Sequence, residues 1–180
     1  HCRSSARYRT HAALAEALIE TGIHDGFDIA RLGAFAEGEL ASLMVGQSGS
    51  FRGGAPGEAL LVADIYGGQS TGGASTALAQ ALDWLVSEDV PVINISLVGP
   101  RNPLVERAIA RAQALGVIIV AAVGNDGPAA APLYPASYPG VVGVTAVTGR
   151  NSVLPEAARG PQVDFSAPGA DMAAAAQSGR

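Results

Sequence analysis

The chain has 180 residues, 48% of them hydrophobic and 5% aromatic, and a net charge of −5. That length suffices for one domain with a real core, and an apolar fraction dominated by Ala, Val and Leu suits helices packed closely on a parallel sheet. There is no lysine, which excludes a P-loop with its phosphate-binding Lys, a Schiff-base Lys and a Ser-Lys dyad.

Beyond Arg3, Arg7 and Arg9, which read as a solvated tail, no basic run suggests a nucleic-acid surface. Cys2 is the sole cysteine, so no intrachain disulfide or Cys-rich metal site is expected. The longest apolar runs, about six to eight residues, fall far short of a membrane span. His1-Cys2-Arg3 opens without a start methionine or an apolar leader, so the expectation is an internal cut rather than a signal peptide.

In chain order, residues 12–20 have helical composition, yet Leu18 to Ile23 reads equally well as a short strand running into a Gly turn. Leu40 to Val45 predicts a short helix, Gly46 to Gly57 a Gly/Ser loop turning at Ala55-Pro56-Gly57, and Ala59 to Tyr66 a buried strand. Gly67 to Gly73 is a glycine-rich loop. A helix follows over about Ser75 to Glu88, capped by Ser75, with Ala74, Ala77, Leu78, Ala81, Leu82 and Leu85 on its apolar face.

The stretch Pro91 to Gly127 organises the rest. Pro91 opens an apolar strand that ends in Ser96-Leu97-Val98-Gly99. Asn102-Pro103 then pairs an N-cap residue with Pro at the first helical position. Leu104, Ala108, Ala112 and Leu115 form the predicted buried stripe, Arg107 and Arg111 lie on another face, and Gly116 ends the helix. Val117 to Val123 reads as a central strand buried on both faces, and it ends in Gly124-Asn125-Asp126-Gly127. Strand, crossover helix and parallel strand put both polar endings on one sheet edge, where open α/β sheets bind ligands.

Residues 129–139 predict a loop, Val141 to Val147 a strand, and Val163 to Phe165 a short strand before Ala167-Pro168-Gly169. The fold class is therefore α/β, a mostly parallel, doubly wound sheet in three layers with helices on both faces.

Gly68-Gln69-Ser70-Thr71-Gly72 matches the G-x-S-x-G elbow between a strand and a helix. An elbow serine needs a histidine base further along the chain, and His1, His11 and His24 all precede it, so the stretch reads as a glycine-rich loop. Gly124 to Gly127 has turn composition, and an Asn amide held there is also able to donate to a developing oxyanion.

VINISLVGP, AAVGNDG and then DFSAPG at Asp164 to Gly169, in that order and spacing, resemble the core of subtilisin-like serine peptidases over about residues 40–170. The resemblance implies that Ser96, Leu97 and Val98 line one side of a substrate cleft and Ser70, Thr71, Gly72 and Gly73 the other. It implies Asn125 as oxyanion donor, and Val98 stands where the family usually has Gly. Leu18 to Ile23 resembles the family's Asp-Thr-Gly strand with Glu20 at the Asp position. The histidine position falls on Ala36, with His24 the remote substitute, and the chain reaches Arg180 without the Gly-Thr-Ser of the nucleophile. Ser166 and Ser178 read as loop serines.

On that resemblance residues 36–180 are a partial peptidase domain preceded by an N-terminal segment, 1–35, of weak pattern. The expected partner is an extended polypeptide, with no nucleic acid, and the expected location is outside the cytoplasm. Calcium occurs in the family, but no acidic cluster here has a calcium-loop spacing. The expected function is that of a serine endopeptidase domain, inactive as this chain. The alternatives are a non-catalytic peptide binder and a Rossmann-like nucleotide binder, the latter weakened by the absence of a G-x-G-x-x-G loop.

Overall fold

The computed structural model describes residues 23–24, 27–28, 37–56, 58, 60–63, 65 and 75–172. These fall into two compact units that divide between Ala77 and Leu78.

In the first unit, β1 (Ile23–His24) and β2 (Phe27–Asp28) pair antiparallel. His24 therefore lies in a strand. Helix α1 (Glu37–Val45) includes the helix expected from Leu40 to Val45 and begins three residues earlier. The Gly/Ser stretch after it is not all loop: β3 (Gln47–Ser48) and β4 (Phe51–Arg52) form a hairpin. Gly49 supplies the positive φ of 56° that a two-residue hairpin turn requires.

Leu60–Ala63 differs from the expected buried strand. Ala41 and Val45 of α1 pack with Leu60 and Val62, while Leu61 is exposed. Burial thus alternates over Leu60, Leu61 and Val62, but these residues make no strand pairing with another described residue.

The second unit carries the sheet. Helix α2 (Ser75–Ser87) straddles the division, and Ser75 is its first helical residue rather than its cap. Ala81 and Leu82 are buried as predicted, with Leu78 and Leu85 packed beside the core. Ala79 and Trp84, outside the predicted face, are buried too.

Strands β5 (Val92–Ile95), β6 (Ile118–Ala122), β7 (Val142–Val147) and β8 (Phe165–Pro168) lie in that order, every neighbouring pair parallel. This is the mostly parallel α/β sheet that the element order predicts. β8 begins two residues after the predicted start and takes in Ala167-Pro168, so Ser166 is a strand residue paired in register with Thr145.

Helix α3 (Pro103–Ala114) connects β5 to β6. Asn102 caps it from an extended backbone, its Oδ1 accepting from the N–H groups of Leu104 (2.9 Å) and Val105 (3.4 Å). Leu115 ends it and Gly116 follows at φ 88°, a left-handed position that glycine adopts without strain.

The predicted buried stripe holds at Ala112, which is buried, and at Ala108, which packs beside the core, but fails at its two leucines. Val105, Ile109 and Ala112 are buried, whereas Leu104 is exposed and Leu115 is 62% exposed. A leucine and a β-branched residue are equivalent to a periodicity argument. Here the branched side chains face the sheet, joining Ile93, Ile95, Ile119, Ala121, Val123 and Leu82 in one core.

β6 also differs from a strand buried on both faces. Its burial alternates, with Ile119 and Ala121 inside and Ile118 53% exposed. The buried side chains of β5 and β6 belong to the same core as those of α2 and α3, so within this unit both helices cover one sheet face. On the other face Val92 and Ile118 are exposed, and Phe165 on the edge strand is 65% exposed.

Candidate functional site

Two adjacent strand ends build the site. The parallel register pairs Ile95 with Ala121, so Ser96-Leu97-Val98 and Val123-Gly124-Asn125 leave the sheet side by side at its carboxyl edge.

The first of these strips is held at both ends. Asn94 Nδ2 donates to Ser96 Oγ at 2.7 Å, and Leu97 packs against the core, leaving Val98 40% exposed. Beyond it, the Gly99 N–H donates to the Tyr134 carbonyl (2.8 Å) and the Tyr134 N–H to the Gly99 carbonyl (3.0 Å). Between these anchors the backbone N–H and C=O groups of Ser96, Leu97 and Val98 hydrogen-bond to no described residue. Backbone groups left without a partner among the described residues are able to pair with an added strand.

The second strip turns sharply. Gly124 has φ 101° and Gly127 φ 94°, conformations that side chains other than glycine rarely adopt. The Ala158 N–H donates to the Gly124 carbonyl at 2.9 Å, and the Gly127 N–H donates to the Glu156 carbonyl at 2.8 Å. Ala157 and Ala158 are buried, so the two bonds tie the turn to a fixed segment. Asn125 and Asp126 occupy the exposed tip, and the Asn125 side chain has no hydrogen-bond partner among the described residues. The Asn125 side-chain amide is thus an exposed hydrogen-bond donor carried on a backbone turn that is fixed at both ends.

The structure therefore brings Ser96, Leu97, Val98 and Asn125 to one edge. Glu20, Ala36, Ser178 and the loop Ser70, Thr71, Gly72 and Gly73, with the elbow-like Gly68 to Gly72 pattern, lie outside the described residues.

Nearby charge is modest. Arg101 bonds Glu106 at 2.7 and 2.9 Å, and first that hydrogen bond, then the glutamate's charge, raises the guanidinium pKa above its ordinary value. Among the described residues no three His, Cys, Asp or Glu side chains are grouped to hold a metal ion.

Sequence reasoning missed the segments that grip both strips, Leu133 to Tyr138 and Glu156 to Ala158. Their bonds to the strips use mainly backbone groups, which leave no residue signature. The tyrosines Tyr134 and Tyr138 were the one visible hint.

The family model described as the subtilase family, Peptidase_S8, matches residues 38–179. Among similar curated proteins, the minor extracellular protease Epr of Bacillus subtilis (strain 168) is 34% identical over 105 residues, 58% of this chain and 16% of that protein. Subtilisin of Bacillus pumilus is 31% identical over 123 residues, 66% of this chain and 44% of that protein. This chain thus spans less than half the length of either relative.

Of solved structures, the self-cleaved protease domain of PatA superposes with a TM-score of 0.75 at 26% identity, covering 89% of this chain and 62% of that one. The prenylagaramide maturation protease PagA gives a TM-score of 0.70 at 27% identity, covering 77% and 53%. Since the matched span takes in all four strands of the parallel sheet and both strand ends at its carboxyl edge, the chain belongs to the subtilase family.

Proposed function

We propose that the two strand ends are the peptide-facing wall and oxyanion corner of a subtilisin-like endopeptidase domain, and that this 180-residue chain binds extended peptides without cleaving them. The observation that carries the binding half is the strip Ser96-Leu97-Val98. It continues directly from β5 and is anchored at both ends, with backbone groups that pair with no described residue. A peptide laid beside it gains main-chain hydrogen bonds by strand addition. Its carbonyl at the Asn125 end would face a side-chain amide donor.

The chemistry half rests on residue identity. Peptide hydrolysis on this plan needs a serine to attack the carbonyl, a histidine to take its proton and pass it to the leaving amine, and a carboxylate to orient the histidine. Ala36 stands at the histidine position and Glu20 at the carboxylate position. Measured in a subtilisin, removing the nucleophile or the base costs about a million-fold in turnover.

In this reading Ser70 to Gly73 form the opposite cleft wall. The similar Epr is described as extracellular, and an extracytoplasmic location is proposed here too. Among the described residues no helix is long and apolar enough to cross a membrane. A nucleotide-binding role has no observation in its favour beyond the parallel sheet itself.

The test pairs two measurements on the purified chain: hydrolysis of a fluorogenic peptide and equilibrium binding of an uncleavable extended peptide. Binding without hydrolysis is expected, with the affinity lost when Val98 is replaced by proline, which removes a backbone donor and constrains the strip. Hydrolysis blocked by a serine-directed inhibitor would overturn the inactive assignment, and absence of peptide binding would overturn the binding one.

A further inference from the structure

Two side chains from separate segments meet over a glycine where the two strips diverge. Gly124 is buried, and a Cβ placed on it would lie 2.8 Å from Leu133 Cδ1 and 3.5 Å from Val98 Cγ1. The antiparallel bridge between Gly99 and Tyr134 sets Val98 and Leu133 on neighbouring strands, each next to a bridge residue. The mouth between the carboxyl ends of β5 and β6 is thus occupied by two branched aliphatic side chains of the chain itself, converging on a residue that has none.

We infer that Val98 and Leu133 restrict the peptide side chain that enters this mouth to hydrogen or methyl, so that the chain selects peptides carrying Gly or Ala at that position. The inference rests on the peptide-binding reading above and adds a substrate class to it. An extended peptide beside Ser96-Leu97-Val98 points alternate side chains to opposite sides, so every second one projects towards the mouth or away from it.

A side chain projecting inward meets Leu133, Val98 and the bare backbone of Gly124. A ring or a long aliphatic chain reaching Gly124 would have to displace Leu133, whose Cδ1 lies over that residue. The three lining residues also bring no charged or hydrogen-bonding side chain to satisfy a polar group carried into the mouth. Small and apolar is the class that fits. Elsewhere along the peptide the strip reads backbone, and side-chain identity matters little.

The experiment uses the whole chain and a fluorescein-labelled, Ala-rich hexapeptide, with Phe substituted at each position in turn. Phe at one position is expected to weaken binding about tenfold or more, with little effect at the others. In Leu133→Ala that penalty should fall to a small factor, and in Val98→Gly, a change at an exposed site, it should fall independently. Each variant is first checked for the same far-UV circular dichroism and cooperative unfolding. If the Ala peptide binds and Phe is tolerated everywhere, or if the penalty survives in both folded variants, the size restriction is wrong while peptide binding stands. If no hexapeptide binds at all, the underlying reading fails and this inference with it.

Discussion

The Tyr138 hydroxyl holds both backbone groups of Asn102: it accepts from the Asn102 N–H at 2.8 Å and donates to the Asn102 carbonyl at 2.9 Å. Tyr138 is buried, and its ring stands 4.5 Å from that of Tyr134, whose backbone pairs with Gly99. One loop therefore grips the segment after the candidate peptide strip at two points, Gly99 and Asn102. The strip's position depends on residues more than thirty positions further along the chain.

Removing that hydroxyl tests the grip. Tyr138→Phe keeps the ring packing and loses both bonds, leaving the partly buried Asn102 N–H unpaired while the Asn102 carbonyl keeps its bond from the Glu106 N–H. A loss of about 1 to 3 kcal/mol is expected, read as a lower urea midpoint at unchanged slope. An unchanged midpoint would show that the bonds are not formed in solution.

The cap of α3 should be separable from that grip. Asn102→Ala removes the acceptor for the Leu104 and Val105 N–H groups while the backbone still meets Tyr138. About 1 kcal/mol of stability should go, and Asn102→Asp or Asn102→Ser should recover most of it. Equal losses in all three variants would point away from capping.

Helix phase is decided by comparing two apolar truncations of α3. Ile109 is 1% exposed and Leu104 is 38% exposed. Ile109→Ala should cost about 2 to 5 kcal/mol in chemical denaturation. Leu104→Ala should cost less than about 1 kcal/mol. The reverse order would restore the phase that the leucine spacing suggested.

Between β7 and the start of β8 the fit is tight enough to make a glycine obligatory. The Gly143 N–H donates to Asp164 Oδ2 at 2.8 Å, and the Asp164 N–H donates to the Gly143 carbonyl at 2.9 Å. A Cβ at residue 143 would collide with the backbone carbonyl of Gln162. Gly143→Ala should destabilise by about 3 kcal/mol or more, since backbone and not a movable side chain must yield. Asp164→Asn keeps an acceptor for the Gly143 N–H and should cost about 1 kcal/mol through loss of the charge-assisted bond. Thermal denaturation of the two variants side by side gives the comparison.

Much of this was legible in the residues because the signals are local. Asn102-Pro103 and Gly116 bound α3 through capping and φ preferences that act within a few residues, and the observed helix keeps those limits. The apolar runs of β5, β6 and β7 end near where their turn residues begin. Two such strands joined by a helix had to be parallel, so Ser96 to Val98 and Asn125 had to share an edge.

Leu60 to Ala63 shows where that reasoning stops, since an apolar run suggests a buried strand but does not say whether a neighbour pairs with it. The sequence by itself determined the α/β class, the order and polarity of its elements and the residues at the strand ends, because backbone preferences and hydrophobic period are properties of short stretches. Only the tertiary structure decided that Val105 and Ile109 rather than Leu104 face the sheet. It alone brought Leu133, Tyr134 and Tyr138 against the strip, and Glu156 and Ala158 against the Asn125 turn. Those choices depend on which distant surfaces close on each other, and a contact between remote residues leaves no mark in the spacing of either partner.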